Sequence, residues 1–122
     1  MSDTEAAADA MRAFALALPG AHEDFPWGER AYKVDGKVFV FCGSAERLTE
    51  SLGFSVKLKQ TAVDALEEPA ASPTGYGLGR HGWVSFTYPI GVVPQHTLLL
   101  ARIEESYRSV AKKRRIKELD SR

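Results

Sequence analysis

Cysteine is nearly missing from this 122-residue chain: Cys42 stands alone, so no internal disulfide can form and no cysteine-based metal site can be built. A lone thiol inside Val38-Phe39-Val40-Phe41-Cys42 reads as a small packed side chain, not a nucleophile. Long apolar runs are missing too. None approaches the roughly 20 residues that a bilayer-spanning helix needs, so no membrane insertion is expected. Net charge is absent: 16 Lys and Arg balance 16 Asp and Glu, which argues against the strongly basic kind of nucleic-acid binder. The opening residues Met1-Ser2-Asp3-Thr4-Glu5 are acidic where a secretory signal is basic, so a cytoplasmic location is expected. The composition that remains, 44% hydrophobic and 26% charged, fits one domain over residues 1–122 that buries about two-thirds of its unfolded surface.

The neutral total hides a gradient. Residues 1–31 hold six acids and two bases, residues 32–100 six of each, and residues 101–122 four acids and eight bases, so the C-terminal end is basic. Residues 4–18 predict an amphipathic helix, with Ser2 and Glu5 at capping-box spacing and Ala7, Met11, Phe14 and Leu18 on one stripe, ended by Pro19-Gly20. Ala21 to Gly28 is an acidic, aromatic segment that Pro26 restricts to an edge or a turn. Asp35-Gly36 between two apolar runs predicts a type I′ hairpin that sets Val34 opposite Lys37, Lys33 opposite Val38 and Tyr32 opposite Phe39. Tyr32, Val34, Phe39 and Phe41 then share the core face, with Lys33, Val38, Val40 and Cys42 behind them. Gly43 to Ser51 reads as a loop or short helical connection, and Gln60 to Glu68 as a short helix with Thr61 as cap and Ala62, Val63 and Leu66 inward. Pro69 and Pro73 mark a loop. Residues 94–113 predict the last helix, with Pro94 at its first position and Leu99, Ile103, Tyr107 and Val110 as its stripe; the basic run from Lys112 is expected to fray.

Two further segments, Phe54 to Lys59 and Trp83 to Tyr88, alternate with period two. Phe54, Val56, Leu58, Val84, Phe86 and Tyr88 form the buried set, leaving Ser55, Lys57, Lys59, Trp83, Ser85 and Thr87 on a side that carries no carboxylate. The expected class is α+β, an antiparallel sheet with N- and C-terminal helices packed on one face.

Chemical motifs are sparse. Gly77-Leu78-Gly79-Arg80-His81-Gly82 matches G-x-G-x-x-G in letters, but a strand follows it where a helix is required, so it reads as a turn entering a strand. Within it, Arg80 and His81 are the candidates for ligand contact; the plainer reading pairs Arg80 with Glu23 or Asp24 and packs His81 at a strand end. Trp27 and Trp83 are candidate stacking platforms, although packing against each other or the sheet edge is the preferred reading. His22, Glu23 and Asp24 alternate sides and no second cluster completes a metal shell, so neither metal nor cofactor is expected. No nucleophile elbow, phosphate loop or helical His-Glu pair is present, and no enzyme is expected.

With Leu18-Pro19-Gly20-Ala21, Glu23 to Gly28, Tyr32-Lys33-Val34, Gly36 to Phe39, Val56-Lys57-Leu58, Gly75-Tyr76, His81 to Val84 and Ser106-Tyr107 in view, the chain resembles the MmcQ/YjbR family over about Met11 to Val110. The resemblance implies a frataxin-like α+β fold and a double-wing DNA-binding motif of small bacterial proteins, and it implies no catalytic residue. The expected function is therefore non-enzymatic binding of nucleic acid on the solvent face of the sheet by Lys33, Lys57, Lys59, Arg80, His81, Trp83 and Trp27. The alternative is a small-molecule or protein partner on an aromatic patch of Phe25, Trp27 and Trp83; a cation ridge of Glu5, Asp9, Glu23, Asp24 and Glu29 ranks last. A monomer or weak dimer is expected.

Overall fold

A computed structural model describes residues 2–43, 48 and 50–122, the side chain of Trp27 excepted. The elements follow the order α1 (Asp3–Ala17), β1 (Ala21–Asp24), β2 (Arg30–Val34), β3 (Lys37–Gly43), β4 (Ser51–Lys57), α2 (Ala62–Ala65), β5 (Ala71–Pro73), β6 (Trp83–Pro89), α3 (His96–Val110) and α4 (Lys113–Asp120). Helix α1 begins where its capping box dictates: the Glu5 amide donates to Ser2 Oγ at 3.1 Å, and Glu5 Oε1 accepts from the Ser2 amide and hydroxyl. The β2–β3 turn is the predicted one, since Asp35 (φ 50) and Gly36 (φ 80) both adopt the left-handed conformation a type I′ turn requires.

Among the described residues the sheet has six antiparallel strands in the order β1-β2-β3-β4-β6-β5. Helices α1 and α3 lie against one face and against each other. Their stripes, Met11, Ala15, Leu99, Ile103 and Tyr107, close over Tyr32, Val34, Phe39, Leu52, Phe54, Val56, Val84 and Phe86. The alternation in β4 and β6 thus assigned their buried sets correctly. The Gly43 to Ser51 connection lies mostly outside the described residues.

Strand β3 departs from the expected register. Val34 pairs with Lys37 and Lys33 with Val38 as predicted, but Tyr32 pairs with Val40, because Phe39 is an extra residue on the bulged strand. The inserted residue reverses the facing of Val40, Phe41 and Cys42, and a second shift follows, from Ala31↔Phe41 to Arg30↔Gly43. Val40 joins the core, Phe41 turns to the open face against Trp83, and Cys42 packs against the core beside Tyr32. Phe39 itself stays inward, its ring edge-on to Tyr107 at 5.4 Å.

Three other differences have local causes. Helix α2 is a single turn that turns Ala65 and, as expected, Ala62 toward the core, while Val63 is 77% exposed and Leu66 is also exposed. The proline-flanked loop contains β5, an edge strand, where Pro73 can sit without a donor. The last helix ends at Val110, and the basic run is a helix of its own, α4, held by Arg115 to Asp35, by Arg108 to Asp120 and by Arg122, whose guanidinium donates to the Ala17 carbonyl at 2.6 Å.

Candidate ligand-binding face

Because both long helices cover one side, the opposite side of β4 and β6 is open. The cross-strand pairs Gly53↔Thr87, Ser55↔Ser85 and Lys57↔Trp83 run along it, as the period-two pattern places them. Ser85 Oγ lies 2.7 Å from Ser55 Oγ and 2.8 Å from Thr74 Oγ1, making a row of three hydroxyls across the sheet. Two bonds use two of the three hydroxyl protons, so the row keeps one donor for a third party. Beside this row is a hollow of about 320 Å³ lined by Glu29, Phe41, Gly53, Ser55, Ser85 and Thr87. Gly53 keeps its floor open, since a Cβ there would approach only the Phe86 carbonyl oxygen, at 3.8 Å.

Phe41 forms one wall, with its ring 5.8 Å from that of Trp83. Trp83 is only 8% exposed, so its indole is the backing of the wall and not a free platform. Trp27, the other proposed platform, has a side chain outside the described residues.

The cationic residues sit at one end of this face on two joined turns. The Leu58 amide donates to the Gly82 carbonyl at 2.8 Å, fastening the turn after β4 to the 3₁₀ turn Leu78–His81 that precedes β6. Gly82 has φ +90, and a Cβ on it would stand 2.9 Å from the Leu58 carbonyl oxygen, so only glycine allows this approach. Lys57 ends β4, Lys59 is exposed in the first turn, and Arg80 and His81 are exposed in the second. The first turn is anchored from below by Glu105, which accepts from the Gln60 and Thr61 amides and, at 2.7 Å, from the Thr61 hydroxyl. Lys59 also borders a groove that contains Glu104 and Glu105.

Among the described residues, Lys57, Lys59 and Arg80 form no salt bridge, whereas Arg12, Arg30, Lys33, Arg102, Arg108, Arg114 and Arg115 each do. Lys37, Lys112, Lys113, Lys117 and Arg122 form no salt bridge either, so what marks the three is their place on two joined turns at the end of the open face. Lys33 therefore leaves the expected group: its ammonium is 2.6 Å from Asp24 Oδ2 on the neighbouring strand. Hydrogen bonds from Lys33 and from the Phe25 amide hold the Asp24 carboxyl below the usual carboxylate range. Glu23 is paired with Arg12 and Arg30, so the expected pairing of Arg80 with Glu23 or Asp24 does not form, and these two acids of the supposed cation ridge are engaged in ion pairs. Phe41 and Gly53 were not anticipated in the site. The phase of Phe41 is invisible in a run of five apolar residues, and Gly53 offers no side chain to notice.

Among the described residues, nothing nucleophilic is built here. Burial pushes the Cys42 thiol up to about 12, which keeps it protonated. The residues that most marked the family resemblance outside the face are structural: Tyr107 donates to the Pro19 carbonyl at 2.6 Å, and the Ser106 hydroxyl donates to the Phe39 carbonyl at 2.5 Å and accepts from the Lys57 amide at 2.8 Å. No helix among the described residues is long and apolar enough to cross a membrane. A search of curated proteins finds no match. The YjbR family model matches residues 16–109, spanning β1 to nearly the end of α3 and therefore the whole open face, and the chain belongs to the YjbR family.

Proposed function

We propose that the protein is a non-enzymatic, cytoplasmic nucleic-acid-binding domain that uses the open face of its sheet and the cations at one end of it. The observation that carries this reading is the grouping of Lys57, Lys59 and Arg80, without carboxylate partners, on two turns fastened by the Leu58–Gly82 hydrogen bond. Phosphates supply the anions such a group lacks, and aligned hydroxyls beside them offer further contacts to phosphate or sugar oxygens. Ser55 and Ser85 are bonded to hydroxyls and not to a base, which supports binding over catalysis.

Three phosphate contacts give a log-log salt slope near −2 on single strands, at about −0.7 per neutralised phosphate. Fluorescence anisotropy with a random-sequence oligonucleotide across a salt series checks this. Lys57→Glu and Arg80→Glu are expected to weaken binding and flatten the slope, while Lys33→Gln combined with Asp24→Asn, which removes a pair that is already neutral, leaves both unchanged. Equal, weak binding by the parent and both charge-reversed proteins overturns the proposal.

A second reading is favoured by the hollow itself, whose size and aromatic wall suit a small uncharged ligand. Thermal-shift screening separates the two, because a ligand at a hundred times its dissociation constant raises stability by about 2.7 kcal/mol.

A further inference from the structure

The shape of the face restricts which nucleic acid it can read. Six strands at about 4.8 Å spacing make a surface about 24 Å across, twice the roughly 12 Å width of a B-DNA major groove. The face therefore cannot enter a duplex groove to reach base edges. Its hollow has Gly53, Ser55, Ser85 and Thr87 along the floor, with Phe41 and the one carboxylate of its lining, Glu29, beside them. Paired and stacked bases present nothing that fits a concavity, whereas an unstacked base presents a flat apolar face and a polar edge. Flipping a base from a duplex costs a few kcal/mol, and a single strand avoids that cost.

Position along the strand agrees. Lys57 lies two residues beyond Ser55 on the same face of β4, about 7 Å at the usual rise per residue. Lys59 and Arg80 continue beyond it. Anion-holding groups thus stand next to the hollow and not inside it, as required when a phosphate is bound outside and its base is turned inward.

We infer that the open face binds single-stranded nucleic acid, inserting one unstacked base between Phe41 and the Ser55–Ser85–Thr87 floor while Lys57, Lys59 and Arg80 hold the adjoining phosphates. This rests on the nucleic-acid reading above. Its test uses filling variants: Gly53→Val, which places a side chain in the floor where no backbone atom is closer than ordinary contact, and Thr87→Leu at an exposed strand position. Both are assayed by anisotropy on a mixed-sequence single strand, on the same strand with one abasic position, and on its duplex, with circular dichroism melting to verify folding.

The parent protein is expected to prefer the single strand over the duplex at least roughly tenfold, in line with the stacking contribution of a base on an aromatic side chain. Each filling variant is expected to reduce that preference by a similar factor. Two results overturn the inference while leaving the nucleic-acid reading intact: duplex bound as tightly as single strand, or filling variants that weaken both substrates alike. Competition by a free nucleoside monophosphate at the oligonucleotide's own concentration overturns it in favour of a small-ligand site. Failure of every nucleic acid to bind, with Lys57→Glu indistinguishable from the parent, removes both.

Discussion

Replacing Ser106 with alanine tests the most unusual joint in the fold. The β3–β4 ladder, whose pairs are Val40↔Val56 and Phe41↔Ser55, stops beside Phe39, the residue that bulges against β2. There the Phe39 carbonyl and the Lys57 amide are bridged by the Ser106 hydroxyl of α3, which donates to the first at 2.5 Å and accepts from the second at 2.8 Å. Ser106 is fully buried, so water is not at hand to replace it. Alanine removes one hydroxyl and orphans two backbone groups, each costing about 1–3 kcal/mol when left unpaired in the interior. Partial relaxation toward a direct contact between them offsets part of this, so the expected loss is about 2–4 kcal/mol. That is a large share of a stability of about 5–15 kcal/mol, and at roughly 4 °C per kcal/mol it lowers Tm by roughly 8–16 °C. Urea unfolding followed by circular dichroism gives the value, with an unchanged m required for the comparison. Ser109→Ala, which removes only a bond from its hydroxyl to the Glu105 carbonyl one turn back, is the control and should shift stability by less than about 0.5 kcal/mol. Amide exchange at Lys57 should also accelerate in Ser106→Ala. A loss under about 1 kcal/mol, or protection at Lys57 equal to the parent, would mean that the hydroxyl is not what closes the ladder.

Two titratable groups give further tests. With the Cys42 thiol pushed up to about 12 by burial, from an ordinary value of 9.0, its thiolate fraction at pH 8 falls about a thousandfold. Iodoacetamide should therefore leave the native protein unmodified over times that fully label it in urea, and labelling at a free-thiol rate refutes the assignment. Asp35 is held below the usual carboxylate range, first by its hydrogen bonds from Arg115 and then by the nearby positive charges of Arg115, Lys112 and Arg114. A depressed carboxyl stabilises the fold above its unfolded value of about 3.9, and that contribution disappears as pH falls through the folded value. Asn suits the left-handed turn position equally well, so Asp35→Asn isolates the charge. The stability gap between the two proteins should be constant from neutral pH to about pH 5 and close on acidification below about pH 4. A gap that persists at pH 2 would assign it to the turn instead.

Legibility in the sequence followed the locality of each cause. The strands β4 and β6 were readable because polar and apolar residues alternate without interruption, and the Asp35-Gly36 turn because two consecutive positive φ values admit few residues. Strand β3 was not: Val38 to Cys42 are all apolar and carry no phase, and the bulged residue that sets the phase, Phe39, has its carbonyl bonded to Ser106, 67 residues away. Helix α4 broke the apolar pattern and looked unsupported, since the partner of Arg115 is Asp35, 80 residues earlier. The site shows the same division. Lys57 and Trp83 meet because β4 pairs with β6, a pairing that neither pattern fixed, and Lys59, Arg80 and His81 follow on the turns joined by Leu58 and Gly82. Lys33 separates from them because Asp24 lies on an adjacent strand whose register, His22↔Lys33, no local signal fixed.

The neutral composition that spoke against nucleic acid is a sum over charges that do not act at the same place. Screening limits a surface charge to about 10 Å at 0.1 M salt, so a ligand at the paired turns responds to the cations within that radius and hardly to the chain total. Among the described residues, seven cations elsewhere are bound to carboxylates, as Arg12 and Arg30 are to Glu23, Arg102 to Glu68 and Arg115 to Asp35, and these pairs fasten the fold without adding to the field; Lys112, Lys113, Lys117 and Arg122, which form no salt bridge, belong to the C-terminal end. What remains at the turns is a small positive group, enough for about three phosphates and too few to sustain tight binding by counterion release alone. Any useful affinity must then draw on uncharged contacts next to that group, which is where Phe41 and the hydroxyl row lie. A domain built this way gains its selectivity from the hollow and its orientation from the lysines, so removing the cations should change the salt slope while filling the hollow should change which strand is preferred.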